Sequence, residues 1–149
     1  VLAQALMSIG AVKAVEIGDG TTVSALHGSE NNDAYTLNEQ NRPVKASNHS
    51  GGILGGISDG SPLLLRASFK PTPSIAQPQS MLGRDGTIHR ECIHGRHDPI
   101  IVSRAVVVVE AMTALVLADH LLLNMASRIE NIKKIYRPSP CNSQTVISE

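Results

Sequence analysis

The sequence predicts a mixed α and β fold, and three observations support this. Apolar and polar residues alternate in short segments before residue 94, as is typical of half-buried strands. The last third carries one long apolar stretch of helical character. Of the 149 residues, 42% are hydrophobic, which suits a folded core and is too high for a disordered chain.

The elements before the long helix follow from local patterns. An apolar run at the start resembles the last turns of a helix, and alternation on both sides of the turn residues Gly18, Asp19 and Gly20 predicts a two-stranded unit. In chain order, the predictions are a helix end at 1–9, strands at 11–17 and 21–27, a polar surface loop at 28–48, a strand at 61–70, a loop at 74–84 and a short strand at 86–93.

A long helix is predicted from about residue 99 to 135. Its first two thirds are apolar on every side, and such a helix must be covered on every side. Glu110, Asp119 and His120 interrupt the apolar run and are costly in lipid, so we predict a buried soluble helix rather than a membrane span. Glu110 and His120 are interpreted as satisfied core polar groups rather than catalysts. The few strands can hardly cover both faces, so we expect the chain to be part of something larger.

Composition excludes several classes of function. Thirteen basic and 13 acidic side chains give zero formal net charge, which disfavours a nucleic-acid or polybasic membrane partner. The aromatic residues are Tyr35, Phe69 and Tyr136, too few for a base-stacking surface. Cys92 and Cys141 do not make a disulfide scaffold, and no secretory signal pattern is seen, so a cytoplasmic location is expected.

Glycine pairs frame the segment 51–56. This Gly-Gly-Ile-Leu-Gly-Gly stretch is neither a dinucleotide-binding fingerprint nor a nucleotide-binding P-loop, because no lysine follows at the required spacing. Paired glycines allow a bulky ligand to approach the backbone and expose N–H groups to anions. A tight turn or close packing explains them equally simply and is the favoured interpretation from spacing alone.

The segment from Lys70 to Ile75 offers an ammonium, two hydroxyls and stiffened backbone at the end of a predicted strand. That combination suits a phosphate group, because lysine supplies charge and Thr72 and Ser74 supply short donors. The simpler alternative is a strand ended by Pro71 and Pro73 beside a solvated lysine.

The densest charged cluster, residues 95–99, directly precedes the long helix. Asp98 followed by Pro99 fits a helix N-cap with proline at the first helical position. Arg96, His97 and Asp98 at a helix start also suit anion binding and proton handling. Cys92, His94 and His97 suggest zinc only weakly, since their spacing matches no closed zinc pattern, and no metal is predicted.

Taken in order, these motifs resemble those of the chorismate synthase family up to Leu122. The matching blocks are Ala5-Leu6-Met7-Ser8-Ile9, Ala11-Val12-Lys13, Val15-Glu16-Ile17-Gly18-Asp19-Gly20, the run from Asn48 to Ser58, Lys70-Pro71-Thr72-Pro73-Ser74-Ile75, Gly95-Arg96-His97-Asp98-Pro99, Arg104-Ala105-Val106, Glu110-Ala111-Met112 and Val116 to Leu122. Three positions depart from the pattern: Gly10, Ala14 and Ile100. Alanine replaces the family's usual glycine at Ala14, which matters only where the backbone needs a positive φ.

The resemblance implies an enzyme that converts 5-enolpyruvylshikimate 3-phosphate to chorismate by anti 1,4-elimination of phosphate. It implies reduced FMN as cofactor, NADP as a ligand associated with the family, and a cytoplasmic homotetramer, or a plastid enzyme in a plant. Carried over by motif, the flavin-contacting residues are Gly10, Ala11, Gly55, Lys70, Pro71, Thr72, Pro73, Ser74 and Arg96. Asp98 is the residue that the resemblance assigns to proton relay at the flavin.

The resemblance also implies an α+β sandwich in which helices lie between two antiparallel sheets. Residues 1–136 would be the C-terminal portion of one such domain, and 137–149 a disordered tail. The family's N-terminal half, with its catalytic histidines and further phosphate- and flavin-binding residues, has no counterpart in these 149 residues. We therefore expect the chain alone to be inactive. The alternative is a non-catalytic flavin- or phosphate-binding half that needs a separate N-terminal chain.

Overall fold

In the computed structural model, residues 1–97 and 100–136 are described. The elements in chain order are α1 (Leu2–Met7), β1 (Val12–Ile17), a 3₁₀ helix (Gly20–Ala25), β2 (Tyr35–Leu37), β3 (Pro43–Lys45), β4 (Ile53–Leu54), β5 (Ile57–Ser58), β6 (Leu65–Phe69), β7 (Gln79–Leu82), β8 (Ile88–Glu91), α2 (Val102–Ala126) and α3 (Ile129–Ile135). Helices combined with antiparallel strands confirm the predicted α+β class.

Each of the eight described strands pairs antiparallel with one partner, in the order β1–β6, β2–β3, β4–β5 and β7–β8. The β1–β6 ribbon is the longest of these pairs and runs from Val12 opposite Phe69 to Ile17 opposite Leu65, with an irregularity between Val12 and Ala14. Helix α1 leads into this ribbon, and its Leu6 is fully buried, as Val12 nearly is. The predicted helix end and the strands at 11–17 and 61–70 are therefore confirmed.

The predicted partner of β1 is wrong. Residues 20–25 form a 3₁₀ helix, and β1 pairs with β6, which is 50 residues further along the chain. Glu16 explains the difference, because its carboxylate accepts hydrogen bonds from the N–H and the hydroxyl of Thr21, at 3.1 and 2.8 Å. These bonds hold the chain in a tight turn where alternation alone predicts an extended strand.

Two predicted loops contain strands. The polar segment 28–48 includes the β2–β3 hairpin, whose connection is closed by Asn38: its side-chain oxygen accepts from the N–H groups of Gln40 and Arg42. Likewise β7 starts inside the predicted loop 74–84 and pairs with β8 through a turn at Asp85 and Gly86. Asparagine and Asp-Gly turns close hairpins in sequences too polar to show a strand pattern.

The long helix is interrupted where the sequence predicts one continuous element. Helix α2 ends at Ala126, and Arg128 is extended (φ −123°, ψ 129°) before α3 begins. Ser127 donates its hydroxyl to the carbonyl of Asn124 at 2.6 Å, which satisfies one of the free helix-end acceptors. Apolar residues continue on both sides of this break, which is why the pattern alone does not reveal it.

Helix α2 is exposed in this chain, contrary to the predicted burial. Only Ala105 and Val116 of its 25 residues are buried, while Val107 and Leu115 are 65% and 66% exposed. By length and composition α2 could cross a membrane, but the core helix of a soluble protein passes the same test. The described elements therefore leave uncovered a helix whose composition demands cover.

The chain divides into two compact units, Val1–Thr113 and a second that begins at Ala114. The assignment of residues 1–136 to one portion of a single domain stays a prediction. The predicted tail at 137–149, with Cys141, lies outside the described residues, and so do Asp98 and Pro99.

Candidate functional site

The structure brings two of the predicted flavin-contacting segments together at one end of the β1–β6 ribbon. The backbone N–H of Lys70 donates to the carbonyl oxygen of Ala11 at 2.8 Å, one step beyond the terminal pair of Val12 and Phe69. Gly10 is exposed beside them, with no atom within 4 Å of the position that a Cβ would take. Gly10, Ala11 and Lys70 thus form one continuous backbone surface.

Ala11 has a left-handed backbone, with φ at +69°, and is not a glycine. Alanine in this conformation is strained by roughly 1–2 kcal/mol. Ala14 lies opposite Ser68, next to the irregularity of the ribbon, and does not have a positive φ. The departure from glycine at Ala14 therefore brings no strain of this kind, and the strained alanine is the one that contacts Lys70.

The loop after β6 extends this surface. Lys70, Pro71 and Pro73 are exposed, and Thr72 and Ser74 are half-buried. The side-chain amide of Gln79 donates to the carbonyl of Pro73 at 2.8 Å, which ties the loop to the start of β7. Two prolines and this bond restrict the backbone, and a rigid loop bearing a cation and two hydroxyls loses little entropy on binding an oxyanion.

The ammonium group of Lys70 forms no ion pair with any residue in 1–97 or 100–136, the residues that the structure describes. Among the other cations near the ribbon, Arg66 pairs with Glu16 at 2.9 Å and Lys45 pairs with two carboxylates, whereas Lys13 in β1 has no recorded ion pair within the described residues either. An unpaired ammonium beside short hydroxyl donors suits the phosphate of a flavin mononucleotide or of a phosphorylated substrate. These residues therefore fit the cofactor that the resemblance implies.

Gly55 lies elsewhere, at the turn between β4 and β5. Gly55 and Gly56 both have positive φ, at +58° and +80°, as a two-residue hairpin turn of this hand requires. The tight-turn interpretation of this glycine pair is confirmed. The hairpin is anchored at the Gly18 end of the ribbon, roughly 20 Å from Lys70 by the rise of six strand residues.

Arg96 is exposed in the segment that follows β8. Within the described part of the chain, no hydrogen bond or ion pair is recorded between Arg96 and the Lys70 loop. Asp98, the predicted proton relay, lies outside the described residues.

No three side chains of His, Cys, Asp or Glu converge anywhere in residues 1–97 and 100–136. Cys92 is a free, half-buried thiol. The zinc alternative thus gains no support.

A polar cluster at the base of the glycine hairpin was not predicted from sequence. Asp33 accepts the hydroxyls of Ser47 and Ser50 and the N–H groups of His49 and Ser50, at 2.7–3.0 Å. Lys45 lies between Asp33 and Asp59. These bonds, above all that from the Ser50 hydroxyl, hold the pKa of the Asp33 carboxyl far below its usual range. The only sequence signal is a polar segment immediately before paired glycines.

His49 and the glycines complete this base. The ring Nδ1 of His49 lies 2.6 Å from the Asp19 carboxylate, and the N–H of Asp19 donates to the His49 carbonyl at 3.0 Å. A Cβ on Gly51 would stand 2.2 Å from the nitrogen of Gly18, and one on Gly18 would stand 2.0 Å from the His49 carbonyl. Only glycine fits at either position, because the two backbones touch.

Taken together, the fold and the site define a class of protein: an α+β chain that presents a rigid, cationic, phosphate-compatible loop together with a glycine-rich hairpin. Comparison with known proteins then identifies the family. The family profile described as chorismate synthase matches residues 1–122. The chain therefore belongs to the chorismate synthase family.

Individual relatives agree. The chain is 56% identical over 136 residues to the chorismate synthase of Lachnoclostridium phytofermentans, covering 91% of this chain and 37% of that protein. It is 50% identical over 136 residues to that of Nitratiruptor sp., with the same coverage. A crystal structure of chorismate synthase superposes with a TM-score of 0.63 at 35% identity, covering 89% of this chain and 32% of that one. The chain thus spans little more than a third of its relatives.

Proposed function

We propose that this chain supplies the C-terminal part of a chorismate synthase. The reaction is the anti 1,4-elimination of phosphate from 5-enolpyruvylshikimate 3-phosphate, which gives chorismate for aromatic amino acid biosynthesis. The observation that carries the proposal is the Lys70 N–H bond to the Ala11 carbonyl. It places side by side two segments that the family resemblance implies in flavin binding, and leaves the lysine charge unpaired among the described residues.

In this proposal the chain's residues bind and orient. Lys70, Thr72 and Ser74 neutralise and hydrogen-bond phosphate oxygens, while the backbone at Gly10, Ala11, Pro71, Pro73 and Gly55 approaches the flavin ring closely. Arg96 adds a second cation, and Asp98 holds the proton exchanged at the flavin. Reduced FMN supplies transient electron density to an elimination that has no net redox change.

The uncovered surface of α2 supports the expectation that the chain works as part of a longer protein. The 136 matched residues make up 37% of the Lachnoclostridium phytofermentans relative, and a helix this apolar is stable in water only when covered. We propose a cytoplasmic homotetramer of the full-length protein, with the remaining two thirds of the family chain packed against α2. The alternative is that the chain is a non-catalytic flavin- or phosphate-binding half that pairs with a separate N-terminal chain. In that case the separate chain would cover α2.

The test uses a completed chain, in which residues 1–136 replace the matching segment of the Lachnoclostridium phytofermentans relative. With reduced FMN, the completed chain should form chorismate, and the 149-residue chain alone should not. Co-expression of this chain with the separate N-terminal segment distinguishes the alternative, since restored turnover there indicates a split enzyme. A completed chain that folds but forms no chorismate would contradict the proposed function.

Two variants of the completed chain test the roles. Lys70→Ala should raise the dissociation constant of FMN or of substrate by about 10-fold or more, as loss of a charged hydrogen bond predicts. Lys13→Ala, which removes an exposed lysine from the same ribbon, is the matched control and should leave both constants unchanged. Asp98→Asn should lower kcat far more than FMN affinity. If Asp98→Asn lowered thermal stability but left kcat unchanged, Asp98 would act only as a helix cap.

A further inference from the structure

Both legs of the β4–β5 hairpin are anchored at its base by one charged cluster. We call Asp33, Lys45 and Asp59 the hairpin clamp. On the first leg, Asp33 accepts the N–H and hydroxyl of Ser50, next to the glycine pair. On the second leg, Lys45 bonds to Asp59, whose N–H donates to the carbonyl of Gly52 at 3.2 Å. The two legs are thus tied to one another through the clamp.

The clamp is shielded from solvent, which makes these bonds strong. The side chains of Asp33, Lys45 and Asp59 are 8%, 10% and 16% exposed. Asn48 reinforces the base, because its side-chain oxygen accepts from the Gly52 N–H at 2.9 Å and its amide donates to the Pro62 carbonyl at 2.9 Å. Charged hydrogen bonds at partly buried positions hold their geometry better than exposed ones.

The tip of the same hairpin is open within the part of the chain that the structure describes. No atom lies within 4 Å of the position that a Cβ would take at Gly55 or Gly56, and the flanking Leu54 and Ile57 are 64% and 74% exposed. A base fixed by charge and a tip left open describe an element that is held out toward a ligand.

We propose that Asp33 is a positioning residue for the cofactor site: through Ser50 on one leg and through Lys45 and Asp59 on the other, it sets the direction of the Gly55–Gly56 turn toward the flavin. This inference rests on the proposed function. Asp33 does not touch the flavin itself. An asparagine at position 33 would keep the shape but replace one acceptor oxygen by a donor. That donor would face either the Ser47 hydroxyl and the His49 N–H or Ser50 and Lys45, so the base would shift in either orientation.

The test is made in the completed chain, with FMN titrated against the unmodified protein, Asp33→Asn and Ser50→Ala. The matched control is Asp85→Asn, which removes a carboxylate that likewise accepts the N–H and hydroxyl of a neighbouring threonine, at 3.1 and 2.7 Å, in the β7–β8 turn. Thermal unfolding is recorded for each variant, and FMN dissociation constants are measured well below every unfolding midpoint.

We expect Asp33→Asn to raise the FMN dissociation constant by about tenfold and to lower kcat more than it changes KM, since misplacement of a positioned group impairs the reacting geometry. Ser50→Ala, the milder change, should raise the same constant by about threefold. Asp85→Asn should leave it unchanged, with a smaller loss of stability because Asp85 is more exposed than Asp33. An unaltered FMN dissociation constant in folded Asp33→Asn or in Ser50→Ala would overturn the inference. Failure of the unmodified completed chain to bind FMN would instead contradict the proposed function.

Discussion

The base of the glycine hairpin and helix α2 reach stability in opposite ways. At the base, polar groups find their partners within the chain: Asp33 alone accepts four hydrogen bonds, and Gly18 packs directly on Gly51. Along α2, the apolar side chains have almost no packing partners, and residues such as Val107 and Leu115 are about two-thirds exposed. Among the described residues, the polar groups of the base are paired, while the apolar surface of α2 is largely uncovered.

This difference separates two physical requirements of the fold. Hydrogen bonds and close backbone contacts are short-ranged, so a segment of about 40 residues can satisfy them by itself. Hydrophobic cover needs area, and the described two-stranded sheets are too small to enclose a 25-residue helix. Local polar contacts can therefore be satisfied in a chain whose apolar helix surface stays exposed.

We expect the largest effect from a charge placed on α2. Leu115→Glu in the completed chain should cost more than about 4 kcal/mol or prevent folding, because covering α2 would bury an unpaired carboxylate. In the 149-residue chain the same change should leave helix content unaltered and raise solubility, since Leu115 is exposed there. Circular dichroism and chemical unfolding measure both.

Leu115→Met is the control, since it preserves volume and should cost less than about 1.5 kcal/mol in either setting. Tolerance of the glutamate by the completed chain would mean that α2 is uncovered there as well. The contrast between the two regions would then be wrong.

The next effect breaks the hairpin base. Gly51→Ala should cost about 3 kcal/mol, because its Cβ would stand 2.2 Å from the Gly18 nitrogen at a φ of +64°. Gly60→Ala isolates the backbone cost, since Gly60 has a φ of +88° but open space around it, and about 1 kcal/mol is expected. Gly28→Ala has neither constraint and should be neutral.

Chemical unfolding of the completed chain ranks the three variants. Equal losses for Gly51→Ala and Gly60→Ala would show that the backbone contact between Gly18 and Gly51 is not tight in solution.

Sequence patterns predicted the parts of the molecule that depend on near neighbours. Strand β1 follows from alternation, β6 follows from a leucine-rich segment that ends at prolines, and the turn at Gly55 follows from paired glycines. The hairpin clamp could not be predicted, because Asp33 meets Ser47, His49 and Ser50 across 14 to 17 residues of polar sequence without periodicity. Pairing of β1 with β6, across 50 residues at Glu16 and Arg66, is beyond local pattern for the same reason. Residue chemistry already indicated a phosphate-binding segment at Lys70 and a charged cluster at 95–99, but the assignment of these residues to a flavin came from the family resemblance.

Acid should weaken the ribbon through Glu16. Its bonds from Arg66 and Thr21 lower the pKa of Glu16 to about 2. Because the folded-state pKa lies below the unfolded value, near 4, the stabilisation is present above about pH 4 and is lost as the pH falls through about 2. Glu16→Gln should therefore flatten the dependence of the unfolding midpoint on pH in this range. Parallel acid curves for the variant and the unmodified chain would contradict the pairing.

The smallest effect concerns two alanines of the ribbon that differ only in backbone geometry. Ala11→Gly should stabilise the completed chain by about 0.5 kcal/mol, because release of a strained φ of +69° outweighs the greater entropy of glycine in the unfolded chain. Ala14→Gly should destabilise it by about 0.5–1 kcal/mol, since Ala14 already has strand geometry and gains nothing in exchange. Opposite shifts in the denaturation midpoint are therefore expected from the same substitution three residues apart. Shifts of the same sign would show that the strain at Ala11 is relieved in solution, and with it the reason to regard this residue as held in place for a ligand beside Lys70.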